Sequence, residues 1–351
     1  MSTLKSLIVI LGPTASGKTE MGLRLAKKFD GEIVNADSRQ IYEDMLIATG
    51  SPILENQELS RWFHSPEGLW NLNAKHKSAT QMQKGSTVPR RELWSQRNVR
   101  NGNAILINNI PHRLFHFIKP DQKFSVAEYK DLAINIIRDI HNRNKIPILV
   151  GGTGLYISSI VDNLEIPKAA PNEKIRNKLE KHTEKYLFNK LKKVDSKSAE
   201  IIGPHNKRKL VRALEVFELT GKPFSAQQIK GEPLFDCLQI GIKIDREKLY
   251  EKIDKRIDKM IKLGLIEETK KLHKKYSFDL PAMSGIGYSE INKYLKNEIG
   301  LDEAAQKIKF RTHHYARRQM TWFKRDGRIW WFEDYREAEE LINRFLKNNI
   351  C

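Results

Sequence analysis

A glycine-rich segment at residues 12–19 constrains the fold of this chain more than any other part of its sequence. Its residues, GPTASGKT, match the pattern G-x-x-x-x-G-K-[ST] at every fixed position. An apolar run at residues 7–11 precedes it and apolar residues at helical spacing follow it, so the segment joins a buried strand to an amphipathic helix. Backbone N–H groups and the helix N-terminus favour phosphate there, Lys18 adds a charge, and the Thr19 hydroxyl can reach a magnesium ion. The segment predicts a phosphate-chain site but does not identify the molecule that is bound.

The strands after this segment alternate with amphipathic helices. Residues 32–36 form a second apolar strand, and residues 146–150 form another one that ends in the glycine-rich turn 151–154. Between them, Ser125 and Glu128 make a capping box for a helix whose apolar residues share one face. This alternation predicts an α/β fold of the P-loop, nucleotide-kinase-like kind with a parallel sheet as its core.

A helical module interrupts the strand pattern. From residue 172 to about 220 the sequence is basic, helical in its periodicity and without strands, and Gly221 is suited to end the last helix. The strand pattern then returns at residues 238–244. We predict a discontinuous α/β core at residues 1–165 and 225–330, a helical insertion at 166–224, and a C-terminal helical tail at 331–351.

Residues 56–103 fit neither pattern. This segment is polar, has no periodicity, and carries eight Lys and Arg residues against three Asp and Glu residues. A loop of this length inside a domain is either functional or loose. We expect an atypical, loosely packed or disordered insert, with a role in RNA binding as the alternative.

Composition bounds the partners and the compartment. A formal net charge of +19 favours a polyanionic partner, although a basic proteome or a need for solubility gives the same balance. Cys237 and Cys351 are too few for a disulfide framework or a four-ligand zinc site, which indicates a reducing compartment. Residues 7–11 are too few to span a bilayer and lead into the glycine loop rather than a cleavage region. We expect a cytoplasmic protein with no membrane contact, and a monomer because nothing requires a partner subunit.

Two polar residues are expected at the carboxyl edge of the sheet, where open α/β sheets bind ligands. Asp37 follows the second strand, and its carboxylate could orient a substrate, hold magnesium or act as a general base. An ordinary turn or capping aspartate is the alternative. Thr153 lies in the turn 151–154 and could face the same cavity, or could simply cap the next helix.

Two predicted helices carry basic stripes. In the first, Arg208 and Arg212 point away from the apolar face, and in the second, residues 307–328 hold eight Lys and Arg residues against one acidic residue. A solvated basic face and a nucleic-acid backbone contact are both open explanations. At helical spacing the second helix is expected to place Arg311, His314, Arg318 and Arg325 on one side, and Ile308, Tyr315, Gln319 and Trp322 on the other.

Six stretches of the sequence, taken in order, resemble the tRNA dimethylallyltransferase (isopentenyltransferase) family of bacterial type. The resemblance covers nearly all the chain except residues 56–103. The glycine loop is common to many P-loop proteins, whereas the second and the last stretches are far more specific. The stretches are GPTASGKT at 12–19, NADSRQIY at 35–42, VGGTGLY at 150–156, RALEV at 212–216, GIGY at 285–288 and YARRQMTWF at 315–323.

The resemblance implies a reaction and its partners. A member transfers a dimethylallyl group from dimethylallyl diphosphate to N6 of the adenosine 3′ of the anticodon (position 37), in tRNAs that read codons beginning with U, and releases diphosphate. The adenosine of the anticodon stem-loop is flipped into one end of a channel, since an enzyme that modifies a base must take it from the stack. The diphosphate and Mg²⁺ occupy the P-loop at the other end, and no ATP hydrolysis is implied.

The family's motifs also imply roles for single residues. Asp37 is the base that takes the N6 proton, Thr153 helps to hold the reacting groups, and Thr19 holds Mg²⁺ together with diphosphate oxygens. The implied diphosphate-binding residues are Gly12, Pro13, Thr14, Ala15, Ser16, Gly17, Lys18, Thr19 and Arg256. The implied tRNA-binding residues are Asp37, Ser38, Arg39, Gln40, Thr153, Arg176, Arg208, Lys209, Leu210, Val211, Arg212, Ser284, Gly285, Ile286, Gly287, Tyr288, Ser289, His313, His314, Tyr315, Ala316, Arg317, Arg318, Gln319 and Met320.

The sequence departs from the family at two places, and two other functions stay open. His313 stands where an arginine is usual, which predicts a weaker phosphate contact, and residues 56–103 look inserted. The pair His313 and His314 is not expected to bind metal, because adjacent helical residues point about 100° apart and a third ligand is not evident. A small-molecule kinase would explain the glycine loop and Asp37 but not the basic helices. An RNA-binding P-loop ATPase would explain the charge but would leave Asp37 without a task.

Overall fold

A seven-stranded sheet organises the part of the chain that the structure describes. The computed structural model describes residues 4–52, 104–167, 172–227 and 229–348. The strands are β1 Ser6–Leu11, β2 Gly31–Asn35, β3 Ile105–Ile107, β4 Ile110–Arg113, β5 Ile146–Gly151, β6 Asp236–Ile242 and β7 Trp330–Phe332. Their order is β3-β4-β2-β5-β1-β6-β7, and every neighbouring pair is parallel except the antiparallel pair β3 and β4. This architecture confirms the predicted α/β class with a mainly parallel sheet.

The position of β1 in the sheet explains its apolar sequence. Residues 7–11 are fully buried, and β1 pairs with β5 on one side and with β6 on the other. A central strand of a parallel sheet has no solvent-facing side, so its residues are apolar without alternation. Since β1, β2 and β5 run in the same direction, their carboxyl ends meet at one edge, which brings the loop 12–19, Asp37 and the turn 151–154 together.

Twelve α-helices connect these strands in the described residues. The capping box predicted at Ser125 and Glu128 is present, with the Ser125 N–H donating to Glu128 at 2.7 Å and the Glu128 N–H donating to the Ser125 hydroxyl at 3.2 Å. In chain order the helices are α1 Lys18–Lys28, α2 Val126–Asn142, α3 Gly154–Val161, α4 Glu173–Glu180, α5 Glu184–Val194, α6 Ser196–Ile202, α7 Lys207–Thr220, α8 Arg246–Lys262, α9 Leu265–Lys275, α10 Tyr288–Leu295, α11 Leu301–Phe323 and α12 Tyr335–Asn348. None of the helices described is long and apolar enough to cross a membrane.

The chain divides into two compact units. The sheet unit consists of Met1–Phe124, Leu132–Ile157 and Phe235–Cys351, and the helical unit consists of Ser125–Asp131 and Ser158–Leu234. The insertion predicted at 166–224 is therefore narrower than the helical unit, because the first turn of α2 and the end of α3 also belong to that unit. Two of the residues predicted for the tail at 331–351 lie in β7, which pairs with β6, and the helical part begins only at Tyr335. The expectations for residues 56–103 fall outside the described residues.

The helical unit has an apolar core and two buried carboxylates, Asp195 and Glu215. Leu187, Leu191 and Leu214 are fully buried in this core. Asp195 caps α6 by accepting the Ser198 N–H at 3.0 Å, and it also accepts the hydroxyl of Ser225 at 2.7 Å. The last helix, α7, ends as predicted at Gly221, whose positive φ of 67° and N–H bond to the Phe217 carbonyl close the final turn.

Candidate active site

A cavity of about 450 Å³ opens within the sheet unit at the carboxyl edge of the sheet. Four loops that precede or follow secondary-structure elements build its polar part. Thr14 and Ala15 come from the phosphate loop, and Asp37 comes from the turn after β2. Thr153 comes from the turn after β5, and residues 284–288 come from the turn before α10 and its first residue. The structure therefore brings the phosphate loop, the candidate base and the second glycine turn to one cavity.

The ammonium group of Lys18 is poised for an anion. It donates to the Pro13 carbonyl at 2.6 Å. Burial lowers the pKa of Lys18 to about 8, the charge of Asp37 raises it, and the charge of Arg256 lowers it. Near this lysine, the buried Ser16 hydroxyl has no hydrogen-bond partner among the described residues. Phosphate oxygens would satisfy this hydroxyl and favour the charged form of the lysine.

Asp37 is held at the end of β2 with one carboxylate oxygen already bonded. Its Oδ1 accepts the Arg39 N–H at 2.8 Å, and its own N–H donates to Asn35 Oδ1 at 2.9 Å. Among the described residues, Oδ2 of Asp37 has no hydrogen-bond donor. The carboxylate is thus fixed in direction and retains one oxygen that can accept a proton from a bound molecule.

Thr153 connects the two polar turns. Its hydroxyl accepts the Ser38 N–H at 2.9 Å and donates to the Ser38 hydroxyl at 3.2 Å, and its N–H donates to the Ala36 carbonyl at 3.1 Å. Tyr315 of α11 shares a hydrogen bond with the same hydroxyl, and burial and the charge of Asp37 raise the pKa of this tyrosine. Thr153 therefore holds the turn that carries Asp37 in place.

Helix α11 lies against the glycine turn 152–154 in a regular register. Gln319 bonds to the Gly152 carbonyl, Tyr315 bonds to Thr153, and the Trp322 ring packs on Gly154. A Cβ atom on Gly152 would lie 2.3 Å from Gln319 Nε2, and one on Gly154 would lie 2.3 Å from the Trp322 ring. Both glycines are therefore required for the close approach of α11, a role that the motif alone does not reveal.

The remaining residues of the DSRQ stretch act mainly on the protein itself. The Arg39 guanidinium donates to the Pro281 carbonyl at 2.9 Å and to the Ala282 carbonyl at 3.2 Å while lining the cavity. Gln40 does not line the cavity, because its amide donates to the carbonyls of Thr49 at 3.2 Å and Gly50 at 3.1 Å. The structure thus gives Gln40 a role in holding the loop after β2, in contrast to the implied tRNA contact.

Arg256 of α8 faces the phosphate loop. It lines the cavity and lies 3.4 Å from the Thr14 hydroxyl. Its charge also acts on Lys18. Arg256 is therefore a second cation, beside Lys18, that is directed at the phosphate loop.

The cavity also has an apolar wall that sequence reasoning did not assign to a site. Ile253, Ile257 and Met260 of α8 pack in an apolar core cluster and also line the cavity. An apolar, concave wall beside a phosphate loop suits a hydrocarbon group attached to a phosphate. The apolar residues of this wall are Met45, Ala48, Ile253, Ile257, Met260, Leu265, Ile286 and Ile308.

Glu268 of α9 is a buried carboxylate that organises two walls of the cavity. It accepts the N–H groups of Leu46 at 2.9 Å, Ile47 at 2.7 Å and Ala48 at 3.1 Å, and it accepts the Tyr288 hydroxyl at 2.8 Å. Burial raises its pKa, while the backbone donors and Tyr288 lower it. The carboxylate joins the loop after β2 to the start of α10, and sequence reasoning missed it because no motif marks it.

Glu268→Gln is expected to lower the free energy of unfolding by about 2 to 4 kcal/mol. The NH₂ group of the glutamine would face buried backbone N–H groups, which would then lack an acceptor. Tyr288→Phe is the matched control, since it removes one donor and leaves the three backbone bonds to the carboxylate. Its loss should be about 1 to 2 kcal/mol. Urea unfolding of the two variants checks the order, and an equal loss in both would contradict the role of the backbone donors.

In the helical unit, several residues with implied tRNA contacts are used internally. The side chains of Leu210 and Val211 are buried in the core, so they cannot present themselves to RNA. Glu215 is fully buried and accepts Arg176 Nε at 2.8 Å and Arg212 Nη1 at 2.7 Å. Burial opposes its charge, but the two arginines lower its pKa. Arg208 and Lys209 are exposed and remain the cations at the start of α7 that an RNA could reach.

The residues of α11 and of the segment 284–289 that are implied to bind tRNA divide into four groups. Tyr315, Arg318 and Gln319 line the cavity, as do the implied residues 284–288, whereas Ala316 is buried in the core. His313 stacks on Tyr250 with ring centroids 4.0 Å apart and lies 2.9 Å from Asp254, so it serves a contact between α8 and α11. The residues that lie outside the cavity are His314, Arg317, Met320 and Ser289.

Two expectations about the basic stripe of α11 are corrected. Arg325 lies beyond the end of α11 at Phe323, so it does not continue the stripe. Arg311 was placed opposite Tyr315 by helical spacing, yet both line the cavity, because the cavity wraps around more than one face of the helix. Arg311 also pairs with Glu290 and donates to the Ser289 hydroxyl at 2.6 Å.

The comparisons with known proteins agree on one family. A family model described as IPP transferase matches residues 104–326, and one described as isopentenyl transferase matches residues 5–82. A tRNA dimethylallyltransferase of Thermoanaerobacter sp. (strain X514) is 38% identical, and the match covers 97% of this chain and 96% of that protein. One of Halothermothrix orenii is 39% identical, with 98% of this chain and 93% of that protein covered.

Two solved structures have a fold similar to that of this chain. The full-length tRNA isopentenylpyrophosphate transferase of Bacillus halodurans is 30% identical with a TM-score of 0.61, covering 98% of this chain and 96% of that one. A eukaryotic dimethylallyltransferase described as acting on tRNA is 26% identical with a TM-score of 0.72, covering 98% of this chain and 80% of that one.

Proposed function

The chain belongs to the tRNA dimethylallyltransferase family, and we propose that its cavity transfers a dimethylallyl group from dimethylallyl diphosphate to N6 of an adenosine in tRNA. The target is the adenosine 3′ of the anticodon, in tRNAs that read codons beginning with U, and diphosphate is released. One observation carries the proposal: Thr14 of the phosphate loop and Asp37 line the same cavity. A diphosphate on the loop and a base beside Asp37 would therefore meet in one enclosed space.

The reaction that this geometry supports is a nucleophilic displacement. The adenosine N6 attacks the allylic C1 carbon, the N6–C1 bond forms, and the bond from C1 to the diphosphate oxygen breaks. The N6 proton passes to the oxygen of Asp37 that has no donor, while Oδ1 stays bonded to the Arg39 N–H. Lys18 and Arg256 stabilise the negative charge that develops on the leaving diphosphate. The apolar wall holds the hydrocarbon chain and excludes water that would otherwise hydrolyse the diphosphate.

The residues of the phosphate loop fit a magnesium ion that arrives with the diphosphate. In the described residues, no cluster of three or more His, Cys, Asp or Glu side chains could hold a metal alone. Mg²⁺ usually keeps few protein ligands and binds substrate phosphates, which suits a single hydroxyl at Thr19. When bound, the ion would neutralise part of the charge on the leaving group. The orphaned Ser16 hydroxyl marks the same loop as incomplete without phosphate oxygens.

The proposed substrate on the other side is the anticodon stem-loop of tRNA. Arg318 is exposed, lines the cavity and lies over the Tyr315 ring at 5.7 Å, so its charge faces the opening. Arg208 and Lys209 of the helical unit add exposed charge. These cations would neutralise phosphates of the RNA backbone, which carries most of the affinity of such a complex.

Arg318→Ala is expected to weaken tRNA binding and to reduce the slope of log affinity against log salt by about one. Filter binding at several salt concentrations measures both quantities. Lys27→Ala is the control, because Lys27 is an exposed cation in the last turn of α1, away from the carboxyl edge of the sheet. An unchanged slope for Arg318→Ala would remove this residue from the RNA interface.

The transfer itself is tested with unmodified tRNA and labelled dimethylallyl diphosphate, with no nucleotide present. The proposal predicts label in the RNA and release of diphosphate in equal amounts. A small-molecule kinase or an RNA-stimulated ATPase predicts ATP turnover with no label in the RNA. A tRNA with guanosine in place of the adenosine 3′ of the anticodon is the matched control and should accept no label.

A further inference from the structure

Gln319 is buried where the phosphate loop meets the glycine turn after β5. Its Oε1 accepts the Thr14 N–H at 2.8 Å, and its Nε2 donates to the Gly152 carbonyl at 2.8 Å. Only 5% of this residue is exposed. Both ends of the amide are therefore engaged by backbone groups from two separate loops. This arrangement leaves the side chain poorly placed to read a nucleotide.

We propose that Gln319 is a positioning residue for the diphosphate end of the cavity and not a tRNA contact. The inference rests on the proposed function, because it assigns Gln319 to one of the two substrates of that reaction. Thr14 lies inside the phosphate loop, where backbone direction decides which N–H groups can reach phosphate oxygens. Gln319 fixes the peptide at Thr14 by accepting its N–H. The same contact orients the Thr14 hydroxyl, which lies 3.4 Å from Arg256.

The anchor at the other end is a rigid one. The Gly152 carbonyl belongs to the turn whose next residue, Thr153, is bonded to Ala36, Ser38 and Tyr315. Gln319 therefore ties a glycine-rich loop, which is conformationally permissive, to a turn that is hydrogen-bonded on several sides. A loop that is fixed before the ligand arrives loses less conformational entropy on binding.

Two adjacent residues of α11 thus have separable tasks. Arg318 is exposed and faces the opening of the cavity, whereas Gln319 is turned to the backbone. Substitution of Arg318 should weaken tRNA binding and leave diphosphate binding nearly unaffected. Substitution of Gln319 should do the reverse. This separation distinguishes the proposal from the family-based expectation that both residues bind tRNA.

The decisive experiment measures two binding equilibria separately for Gln319→Leu. Leucine has a similar volume but can neither accept the Thr14 N–H nor donate to Gly152. Calorimetry with dimethylallyl thiodiphosphate in the absence of RNA should show affinity weakened about tenfold or more, since two buried backbone groups lose their partner. Binding of the anticodon stem-loop in the absence of the diphosphate should stay within about twofold of wild type. Arg318→Ala is the matched control and should show the opposite pattern.

A second variant breaks the same contact from the other side. Gly152→Ala would place a Cβ 2.3 Å from Gln319 Nε2, and Gly152 has no positive φ that alanine would strain. It should weaken diphosphate binding as Gln319→Leu does, and the double variant should lose little more than either single variant. Because Gly152→Ala leaves Gln319 itself unchanged, this single variant tests the contact even if Gln319→Leu does not fold.

Each outcome decides between the possibilities. Loss of diphosphate affinity with retained RNA affinity supports the positioning role. Loss of RNA affinity alone, wild-type diphosphate affinity in Gln319→Leu, or simple additivity in the Gly152 cycle would overturn it. If the wild-type protein transferred no dimethylallyl label to tRNA, the proposed function would be contradicted instead.

Discussion

Asp37→Ala is expected to reduce the rate of dimethylallyl transfer by about 10² to 10⁴-fold, the range typical of a positioned general base. The affinity for tRNA should change little, because a carboxylate adds no attraction for RNA phosphates. The physical reason lies in the geometry: one oxygen of Asp37 is bonded to the Arg39 N–H, and the other is available for the N6 proton. Single-turnover kinetics at saturating tRNA isolates this step from binding and release.

Asp37→Asn is the control that separates chemistry from structure. Asparagine keeps an oxygen that can accept the Arg39 N–H, so the turn after β2 should be preserved, but it cannot take up a proton at neutral pH. The two variants should therefore be about equally slow. An asparagine variant with nearly wild-type transfer, or equal losses of rate and tRNA affinity in the alanine variant, would exclude Asp37 as the base.

Lys18→Met is expected to lower kcat/KM for dimethylallyl diphosphate by about 10² to 10³-fold, as removal of one preorganised charge at a developing anion typically does. Methionine is similar in length and removes only the ammonium group. Steady-state assays at varied diphosphate concentration measure the effect, with KM for tRNA as the internal control. If the substitution impaired only the binding of tRNA, the assignment of the loop 12–19 to the diphosphate would be contradicted.

The same lysine predicts a pH dependence. Burial lowers the pKa of Lys18 in the free protein to about 8, so the charged fraction falls as pH rises through this value. In the proposed reaction the diphosphate binds the charged form of Lys18, so its affinity should fall above pH 8, by up to about tenfold per pH unit. An organic diphosphate has lost its last proton well below that pH, so titration of the ligand adds little to the pH dependence of the affinity. Lys18→Met should show weak binding with no such decline, and a steep decline in this variant would assign the titration to another group.

The parts of the fold that could be predicted from sequence are those in which one strand or helix carries its own signal. The apolar run at residues 7–11 predicts a central strand because burial removes the alternation of side chains, and the structure confirms it. Ser125 and Glu128 predict a helix start because a capping box is local. The boundaries of the helical unit were less predictable, since the first turn of α2 belongs to it through packing and not through pattern.

Sequence motifs could not predict the direction in which single side chains point. Gln319 lies in a run that resembles an RNA-contacting motif, yet it bonds to Thr14 and Gly152. Leu210 and Val211 lie beside exposed cations but face the core. Glu268 carries no motif, because its partners are backbone N–H groups that any residue supplies. Only the folded arrangement brings these groups together.

The most direct test of the central claim is a crystal structure with dimethylallyl thiodiphosphate and an anticodon stem-loop bound together. The account predicts the diphosphate on residues 12–19 within hydrogen-bond distance of Lys18, and the adenosine N6 within hydrogen-bond distance of the Asp37 carboxylate. The N6 atom and the C1 carbon should lie about 3 to 3.5 Å apart, as reacting atoms do in a productive complex. A diphosphate bound away from the loop, or an adenosine whose N6 does not reach Asp37, would contradict it.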